Sequence, residues 1–376
     1  MNFNYYLPTN LIFGKGRINE LGVLASPYGK KALVVTGQNS TKKSGLLALS
    51  VQLLNEHGIE TLVFDEVTQN PLTTTATKGA AIAKENNCDM IVGLGGGSIM
   101  DCAKAIALLA INTGSVDDFI FGHLTATSAL PIILVPTTCG TGSEANGYAV
   151  LTNAETMDKK SLKQHFLIPK VSIVDPNLMK TMPKQVFANV AFDTLCHLME
   201  ASTSNMANPL SKSIALEGVK LVMRNIIPIY EGDLSDERYE EMTLASTIGG
   251  MVIYSSGVTL GHAMEHPVSG LKDIAHGKGL AILTPSIMKK TIEKIPDKFT
   301  DLAVAMGGKK ATDCLDILDN LLTKLHLKIS LTDCNISEDD IDWLVSNCYK
   351  VSSITINNHP YTFSKEEIKE IFTLSL

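Results

Sequence analysis

Short runs of β-branched and apolar residues alternate with helical patterns along the first half of the chain. KALVVTG (31–37) and DMIVGL (89–94) are typical strands, and SGLLALSVQLLNEH (44–57) has helical spacing that ends at Gly58. The same patterns predict further strands and helices, namely strands over 59–67, 130–138 and 170–176 and helices over 73–87 and 99–111. This alternation predicts a Rossmann-like parallel sheet with helices on both faces, an α/β fold.

The pattern changes after Asp175-Pro176. From about residue 183 onward the apolar positions recur with helical spacing, as in PKQVFANVAFDTLCHLMEAS (183–202) and ERYEEMTLASTIGGMVIYSS (237–256). We therefore expect two domains, an α/β dinucleotide-binding domain over 1–180 and an all-α domain over 181–376.

Composition and charge exclude several classes of protein. The chain has 376 residues, enough for two domains with their own cores, and its net charge of −7 leaves no basic stripe for nucleic acid. The longest apolar runs, such as AIALLAI (105–111), are too short to span a bilayer, and the N-terminus has no secretory pattern. Seven scattered cysteines without a C-x-x-C pair indicate free thiols. We expect a cytoplasmic protein that binds neither membranes nor nucleic acid.

A glycine-rich turn, GLGGGSIMD (93–101), lies between a buried strand and a helix. Glycines let the backbone approach a phosphate closely, and the N-terminus of the following helix offers free N–H groups. Ser98 stands where a G-x-G-x-x-G motif would have its third glycine, and a tight turn without a ligand would look similar. A second loop, VPTTCGTGSE (135–144), also follows a strand, and two such loops suit one dinucleotide at a sheet edge.

One acidic residue and several histidines have the spacing of metal ligands. Asp193 and His197 are four residues apart within a helical pattern, where they could share an ion or simply pair with each other. His262 and His266 are also four apart, and His276 follows a short loop. Carboxylate and imidazole ligands suit Fe²⁺, Zn²⁺ or Mn²⁺. Histidines satisfied by neighbours in a core remain the alternative for each residue taken singly.

Taken together, these motifs resemble the iron-containing (group III) alcohol dehydrogenase family over nearly the whole chain. The resemblance is carried by YYLPTNLIFGKGRINELG, Asn70-Pro71, GGGSIMDCAKAIA, PTTCGTGSEA, IVDPNL, D-x-x-x-H at 193–197 and H-x-x-x-H-P…H-G at 262–277. It implies a metal-dependent enzyme, with Fe²⁺ expected and Zn²⁺ as the alternative. The implied reaction is reversible NAD(P)-linked hydride transfer between a small alcohol and its aldehyde or ketone, in an interdomain cleft. It also implies a homodimer or larger homo-oligomer.

The resemblance also assigns roles to individual residues. The four implied metal ligands are Asp193, His197, His262 and His276. His266 matches a histidine beside the nicotinamide and substrate, and we expect it to relay a proton during catalysis. The implied cofactor contacts are Gly95, Gly96, Gly97, Ser98 and Asp101, then Thr137, Thr138 and 140–142, and finally Asn70, Val150 and Lys159, with Lys160 as the alternative to Lys159.

One departure from the family pattern concerns the cofactor. Many NAD-preferring members end the first strand with Asp, whose carboxylate binds the adenosine ribose, whereas this chain has Gly37 there. Ser40, Lys42 and Lys43 follow. A missing anion and nearby cations favour an added 2′-phosphate, so we expect NADP(H) to be preferred over NAD(H).

Other functions remain open at this point. A glycerol dehydrogenase-like zinc polyol dehydrogenase and a dehydroquinate synthase belong to the same superfamily. A metal-dependent hydrolase and a non-catalytic nucleotide-binding protein are alternatives of other classes. The hydrolase lacks support because the chain contains no H-E-x-x-H motif.

Overall fold

The computed structural model describes residues 2–376 and divides into two compact units. The sheet unit comprises Leu7–Thr156 and Lys160–Met182. The helical unit comprises Pro183–Leu376 together with Met157–Lys159 and the residues preceding Leu7. A segment of three residues from the first half of the chain therefore belongs to the helical unit.

Within the described residues, the sheet unit contains a six-stranded parallel sheet in the order β1-β8-β5-β4-β2-β3. A separate two-stranded sheet pairs β6 with β7. The strands are β1 Asn10–Phe13, β2 Lys31–Gly37, β3 Glu60–Val67, β4 Met90–Gly95, β5 Ile132–Pro136, β6 Tyr148–Asn153, β7 Asp158–Lys163 and β8 Val171–Val174.

Helices cover both faces of the six-stranded sheet. Every residue of the central strands β4 and β5 is buried, which explains their continuous apolar sequences. The helices of this unit are α1 Leu21–Ala25, α2 Ser40–Lys43, α3 Leu46–Glu56, α4 Thr73–Glu85, α5 Gly97–Leu109 and α6 Val116–Ile120. Leu54 of α3 packs in one apolar cluster and Ile106 of α5 in another. The predicted α/β fold is confirmed.

The helical unit is confirmed as predominantly α-helical. Its helices are α7 Lys184–Thr203, α8 Pro209–Glu231, α9 Asp236–Ser256, α10 Leu260–Lys272, α11 His276–Lys294, α12 Thr300–Met306, α13 Asp313–Lys324, α14 Ile341–Asn357 and α15 Lys365–Leu374. Helices α7, α8 and α9 pack against one another, while α10 packs on α11 and α14, and α11 also packs on α7.

Two further sequence expectations can be compared with the described residues. All seven cysteines are free, as the sequence predicts, and the structure shows that all seven are buried. No single helix within residues 2–376 is long and apolar enough to cross a bilayer, and α9 and α10 reach that composition only together, across a bend of 106°.

Candidate metal centre and nucleotide loops

Three helices of the helical unit bring the four predicted ligands together. Asp193 and His197 lie one turn apart on α7, and His262 lies near the start of α10. Helix α10 ends at Lys272, the next residue, Asp273, turns the chain with a left-handed φ of 48°, and His276 is the first residue of α11. Gly277 allows close packing there, because a Cβ at this position would overlap the carbonyl oxygen of Asn189 on α7.

The three imidazoles converge on one carboxylate oxygen. Asp193 Oδ1 lies 3.6 Å from Nε2 of His197, 3.5 Å from Nε2 of His262 and 3.7 Å from Nε2 of His276. These distances are too long for good hydrogen bonds, but ligands tetrahedrally placed around a divalent ion lie about 3.4 Å apart. Asp193, His262 and His276 therefore have the spacing of a ligand shell, since one ligand atom from each lies within 4.8 Å of the other two. His197 is the fourth predicted ligand, and its Nε2 lies 3.6 Å from the same carboxylate oxygen.

Burial supports the same conclusion. The side chains of Asp193, His197 and His262 are at most 6% exposed, while His276 is 23% exposed. Within residues 2–376, Asp193 Oδ1 and His262 Nε2 have no hydrogen-bond partner although both atoms are buried. Buried polar atoms normally have partners, and a cation between these two atoms would satisfy both. The residues therefore fit a divalent metal ion.

Two glutamates that the sequence analysis missed contact the far side of these imidazoles. Glu200 of α7 lies 2.9 Å from His262 Nδ1, and Glu265 of α10 is hydrogen-bonded to His276 Nδ1. Both follow a predicted ligand by three residues, on the same helix as that ligand. An acidic residue three positions after a predicted ligand, inside an otherwise apolar helix, is the sequence feature that could have identified these two glutamates.

The electrostatics of the centre come from burial and from charges at short range. Burial alone would raise the pKa of Asp193, but the imidazoles of His197 and His276 outweigh it and hold that pKa below its usual value. Burial lowers the pKa of His197 to about 4, so its ring is neutral near pH 7. For His262, burial is outweighed by Glu200 and Asp193, which raise its pKa to about 10.

His266 lies beside the predicted ligands without facing Asp193. Its ring centroid is 5.9 Å from that of His276, and the residue is half-buried. Desolvation and the nearby Lys159 cation lower its pKa well below the ordinary value. The ring is therefore neutral near pH 7, and the proton-relay role stays a prediction.

The nucleotide loops leave three neighbouring strands at one edge of the parallel sheet. Gly37 ends β2, Gly95 ends β4 and Pro136 ends β5, and Gly95 pairs directly with Pro136. The carboxyl edge of an open parallel sheet is where such folds bind ligands. The sheet topology thus brings the loops at 37–40, 95–98 and 137–142 side by side.

Close backbone contacts join two of these loops. A Cβ on Gly97 would overlap the Thr141 side chain, and a Cβ on Gly96 would lie 3.0 Å from Thr138 Oγ1. Gly97 is the first residue of α5, so the N-terminus of that helix opens toward the same edge, as in phosphate-binding turns. Asn70 follows β3 in a left-handed conformation (φ 44°), and the next residue, Pro71, accepts a hydrogen bond from Thr152 of β6.

Asp101 and Lys104 form a buried network behind these loops. Asp101 accepts hydrogen bonds from Ser143 Oγ (2.6 Å) and from the backbone N–H of Val150 (3.0 Å). Lys104, which the sequence analysis did not single out, donates to the carbonyl oxygens of Ser143 and Tyr148, both at 2.7 Å. Burial lowers the pKa of Lys104 to about 8. The network fixes the segment that carries Val150.

The remaining predicted cofactor residues differ in their surroundings. Lys42, near Ser40, forms an ion pair with Asp65 of β3. Lys159 belongs to the helical unit, where its ammonium lies 2.9 Å from Ser269 Oγ and 3.5 Å from Glu265 Oε2. The Lys159 side chain is thus buried beside the predicted metal ligand His276, with its ammonium 3.4 Å from Nδ1 of that ring.

Two family models together match most of the chain. The model described as "Iron-containing alcohol dehydrogenase" matches residues 8–176, and the one described as "Fe-containing alcohol dehydrogenase family, C-terminal" matches residues 187–376. This chain belongs to the iron-containing alcohol dehydrogenase family. The resemblance predicted from its motifs is confirmed, and membership of this family makes an oxidoreductase the expected class, in place of the hydrolase and the non-catalytic nucleotide-binding protein.

Several relatives in this family match over nearly their full length. The chain is 33% identical to the 1,3-propanediol dehydrogenase of Klebsiella pneumoniae over 98% of both chains. It is 32% identical to a probable NADH-dependent butanol dehydrogenase 1 of Bacillus subtilis over 100% of both. It is also similar to the crystal structure of an archaeal halo-thermophilic alcohol dehydrogenase from a Red Sea brine pool, with a TM-score of 0.97, 35% identity, and coverage of 100% of this chain and 99% of that one.

Proposed function

We propose that this protein is a metal-dependent alcohol dehydrogenase that transfers hydride reversibly between a small alcohol and a nicotinamide cofactor. The convergence of three Nε2 atoms on the buried, unpartnered Asp193 Oδ1 is the observation that supports a metal-dependent reaction most directly. Family membership supports alcohol and aldehyde as the two forms of the substrate, and Fe²⁺ as the resident ion.

In this proposal Asp193, His197, His262 and His276 hold the ion. A bound divalent ion supplies Lewis acidity toward the substrate oxygen. Asp193 supplies the one negative charge among the four ligands, which offsets part of the charge of the ion in a buried site. The greater exposure of His276 marks the side of the centre from which a small molecule could approach.

The nucleotide site of the proposal consists of the three loops at the carboxyl edge of the sheet. The N-terminus of α5 and the loop at 137–142 bind the pyrophosphate, and Asp101 holds these two segments together through Ser143 and Val150. We retain Lys159 among the proposed cofactor contacts, on the basis of the family pattern alone. Hydride transfer requires this site and the metal centre to meet, as an active site in a cleft between the domains would allow.

The cofactor preference is a finer part of the proposal. Gly37 leaves the end of β2 without an anion, and a Cβ there would meet only ordinary van der Waals contacts. Lys43 lies nearby, while Lys42 is already paired with Asp65. These features support NADP(H), whereas the names of several relatives specify NADH for those proteins. Cellular location in the cytoplasm and assembly as a homodimer or larger are proposed from the sequence and the family resemblance.

The proposal is tested by the metal dependence of aldehyde reduction. Purified enzyme is stripped with a chelator, reloaded separately with Fe²⁺, Zn²⁺ or Mn²⁺, and assayed for oxidation of NADPH and NADH with a panel of short-chain aldehydes. We expect activity to return with Fe²⁺ and to fall at least about 100-fold in Asp193→Asn, together with loss of bound metal.

The matched control is Asp301→Asn, whose carboxylate pairs with Lys212 on the surface of the same unit. It should retain both metal and activity. Full activity in chelator-treated enzyme, or in Asp193→Asn, would contradict the proposal.

A further inference from the structure

The two glutamates behind the metal centre form a matched pair. Glu200 faces Nδ1 of His262, and Glu265 faces Nδ1 of His276. We infer that Glu200 and Glu265 are positioning residues, which set the tautomer and orientation of these two imidazoles so that both Nε2 atoms face the ion. The inference rests on the proposed metal-dependent function.

Glu200 is held rigidly in place. Its Oε1 lies 2.9 Å from His262 Nδ1, and its Oε2 accepts a hydrogen bond from the backbone N–H of Thr259. Gly261 makes the space for this arrangement, since a Cβ there would overlap Glu200 Oε1. Both carboxylate oxygens therefore have partners, and only one orientation of the carboxylate satisfies them together.

Glu265 has an equivalent set of contacts from different elements. Its Oε2 is hydrogen-bonded to His276 Nδ1 and lies 3.5 Å from the Lys159 ammonium, while its Oε1 accepts a hydrogen bond from Ser269 Oγ. A Cβ on Gly279 would lie 2.8 Å from Glu265 Oε1, so this carboxylate too has a glycine beside it. The Glu265 side chain is fully buried and that of Lys159 is 5% exposed, so the pair is shielded from water.

The contacts of both glutamates suit an ionised carboxylate. Glu265 lies beside the Lys159 ammonium and accepts from Ser269 Oγ, and Glu200 accepts from the backbone N–H of Thr259. An ionised carboxylate only accepts hydrogen bonds, so the Nδ1 that faces it carries a proton, and an imidazole that binds an ion does so through the lone pair of Nε2.

His197 provides an internal comparison. Within residues 2–376 its Nδ1 is buried without a hydrogen-bond partner, so no carboxylate bonds this nitrogen as Glu200 and Glu265 bond theirs. His197 is instead fixed by its position on α7, one turn after Asp193, and by stacking on His262 with ring centroids 4.6 Å apart. We therefore expect Glu200 and Glu265 to determine the orientation of two of the three imidazoles, those of His262 and His276, toward the ion.

Direct metal binding tests the inference without relying on catalysis. Metal-free wild-type protein and the variants Glu265→Gln, Glu265→Ala and Glu200→Gln are titrated with Zn²⁺ in competition with a chromophoric chelator. Removing such a partner typically weakens metal binding 10- to 100-fold, and we expect losses in that range. The amide of Gln keeps an acceptor oxygen, so Glu265→Gln should lose less affinity than Glu265→Ala.

Two further variants distinguish a loss of imidazole orientation from general damage to the fold as the cause of weaker Zn²⁺ binding. Glu241→Gln changes a carboxylate of α9 that bonds Arg224 and Asn225, and it should bind Zn²⁺ as wild type does. Glu265→Gln leaves Lys159 buried without its counter-ion, so the double variant Lys159→Met/Glu265→Gln is included. The double variant should fold, by its thermal unfolding transition, and still bind Zn²⁺ more weakly than wild type.

The outcomes distinguish this inference from the proposed function. If wild type binds Zn²⁺, Asp193→Asn does not, and the glutamate variants match wild type, the positioning role is wrong while the metal centre stands. If Asp193→Asn binds Zn²⁺ as tightly as wild type, the metal centre itself is wrong and both ideas fail. Weaker binding in the glutamate variants with normal binding in Glu241→Gln supports the inference.

Discussion

At the scale of single residues, sequence spacing does not distinguish His266 from the histidines proposed as metal ligands, whereas its surroundings in the structure do. It lies four residues after His262, the same interval that links Asp193 to His197, yet the three imidazoles around Asp193 Oδ1 belong to His197, His262 and His276. Its lowered pKa leaves the ring neutral near pH 7, so it can accept a proton that leaves an alcohol.

We expect His266→Ala to reduce turnover about 100-fold while metal content stays at the wild-type level, since general acid–base catalysis contributes on this scale. Steady-state kinetics and metal analysis of the same preparation measure the two quantities. His123→Ala, which removes an exposed histidine of the sheet unit, is the control and should change neither. Unchanged turnover and an unchanged pH profile in His266→Ala would exclude the relay.

At the same scale, Gly37 bears on the preference between NADPH and NADH. Its position at the end of β2 has room for a side chain, because a Cβ would lie 3.5 Å from the nearest atom, the Val67 carbonyl oxygen. We expect Gly37→Asp to repel a 2′-phosphate and to lower the ratio of kcat/KM for NADPH over NADH at least about tenfold. Gly37→Asn, of equal size without the charge, is the control, and an equal shift in both variants would show that the charge is not the cause.

At the scale of elements, Lys104 connects α5 to the segment that leads into β6. It is fully buried, so replacing it leaves the carbonyl oxygens of Ser143 and Tyr148 without their donor, at a cost of about 1–3 kcal/mol for each. We expect Lys104→Met to lower the free energy of unfolding by several kcal/mol and to weaken nucleotide binding. Lys78→Met, at an exposed pair with Glu66, should change stability by less than about 0.5 kcal/mol.

The contribution of Lys104 to the free energy of unfolding depends on pH, and its direction follows from the pKa of this residue. Burial lowers the pKa of Lys104 to about 8, while in the unfolded chain it lies near 10.5. Between these values the unfolded state binds more protons, so Lys104 makes the free energy of unfolding rise with pH from about 8 to 10.5. Urea unfolding across this range should show a smaller rise in Lys104→Met than in wild type, and equal slopes would mean that Lys104 does not titrate as described.

At the scale of elements, some strands can be predicted from the sequence and others cannot. Strands β2, β4, β5 and β8 are predicted because buried apolar runs bounded by turns identify them, and the edge strand β3 is predicted from its apolar and β-branched residues. The strands β1, β6 and β7 were not, because β1 is a short edge strand and β7 reads DKKSLK, where pairing and not apolarity makes the strand. Spacing in the sequence marks Asp193 and several histidines as candidate metal ligands, and the family resemblance selects four of these residues. The contacts of Glu200, Glu265 and Lys159 depend on tertiary packing between elements.

At the scale of the whole molecule, the two units carry different ligand sets. The four proposed metal ligands all belong to the helical unit, and the loops at 37–40, 95–98 and 137–142 all belong to the sheet unit. Each unit has its own apolar cluster, with Leu260 and Phe372 in one and Val92 and Leu94 in another. A ligand that binds a folded unit suppresses local opening of the elements it touches.

We therefore expect the two ligands to protect different amides from hydrogen exchange. Zn²⁺ added to metal-free protein should slow exchange in α7, in α10 and at the start of α11, because Asp193, His197, His262 and His276 join these three helices through one ion. NADPH added to the same protein should slow exchange in the loop after β4, in α5 and in the loop after β5. Asp193→Asn separates the effects, since it should abolish the protection by Zn²⁺ and leave the protection by NADPH in the sheet unit. Protection of α7 and α10 by Zn²⁺ that persists in Asp193→Asn would mean that the ion binds elsewhere in the helical unit.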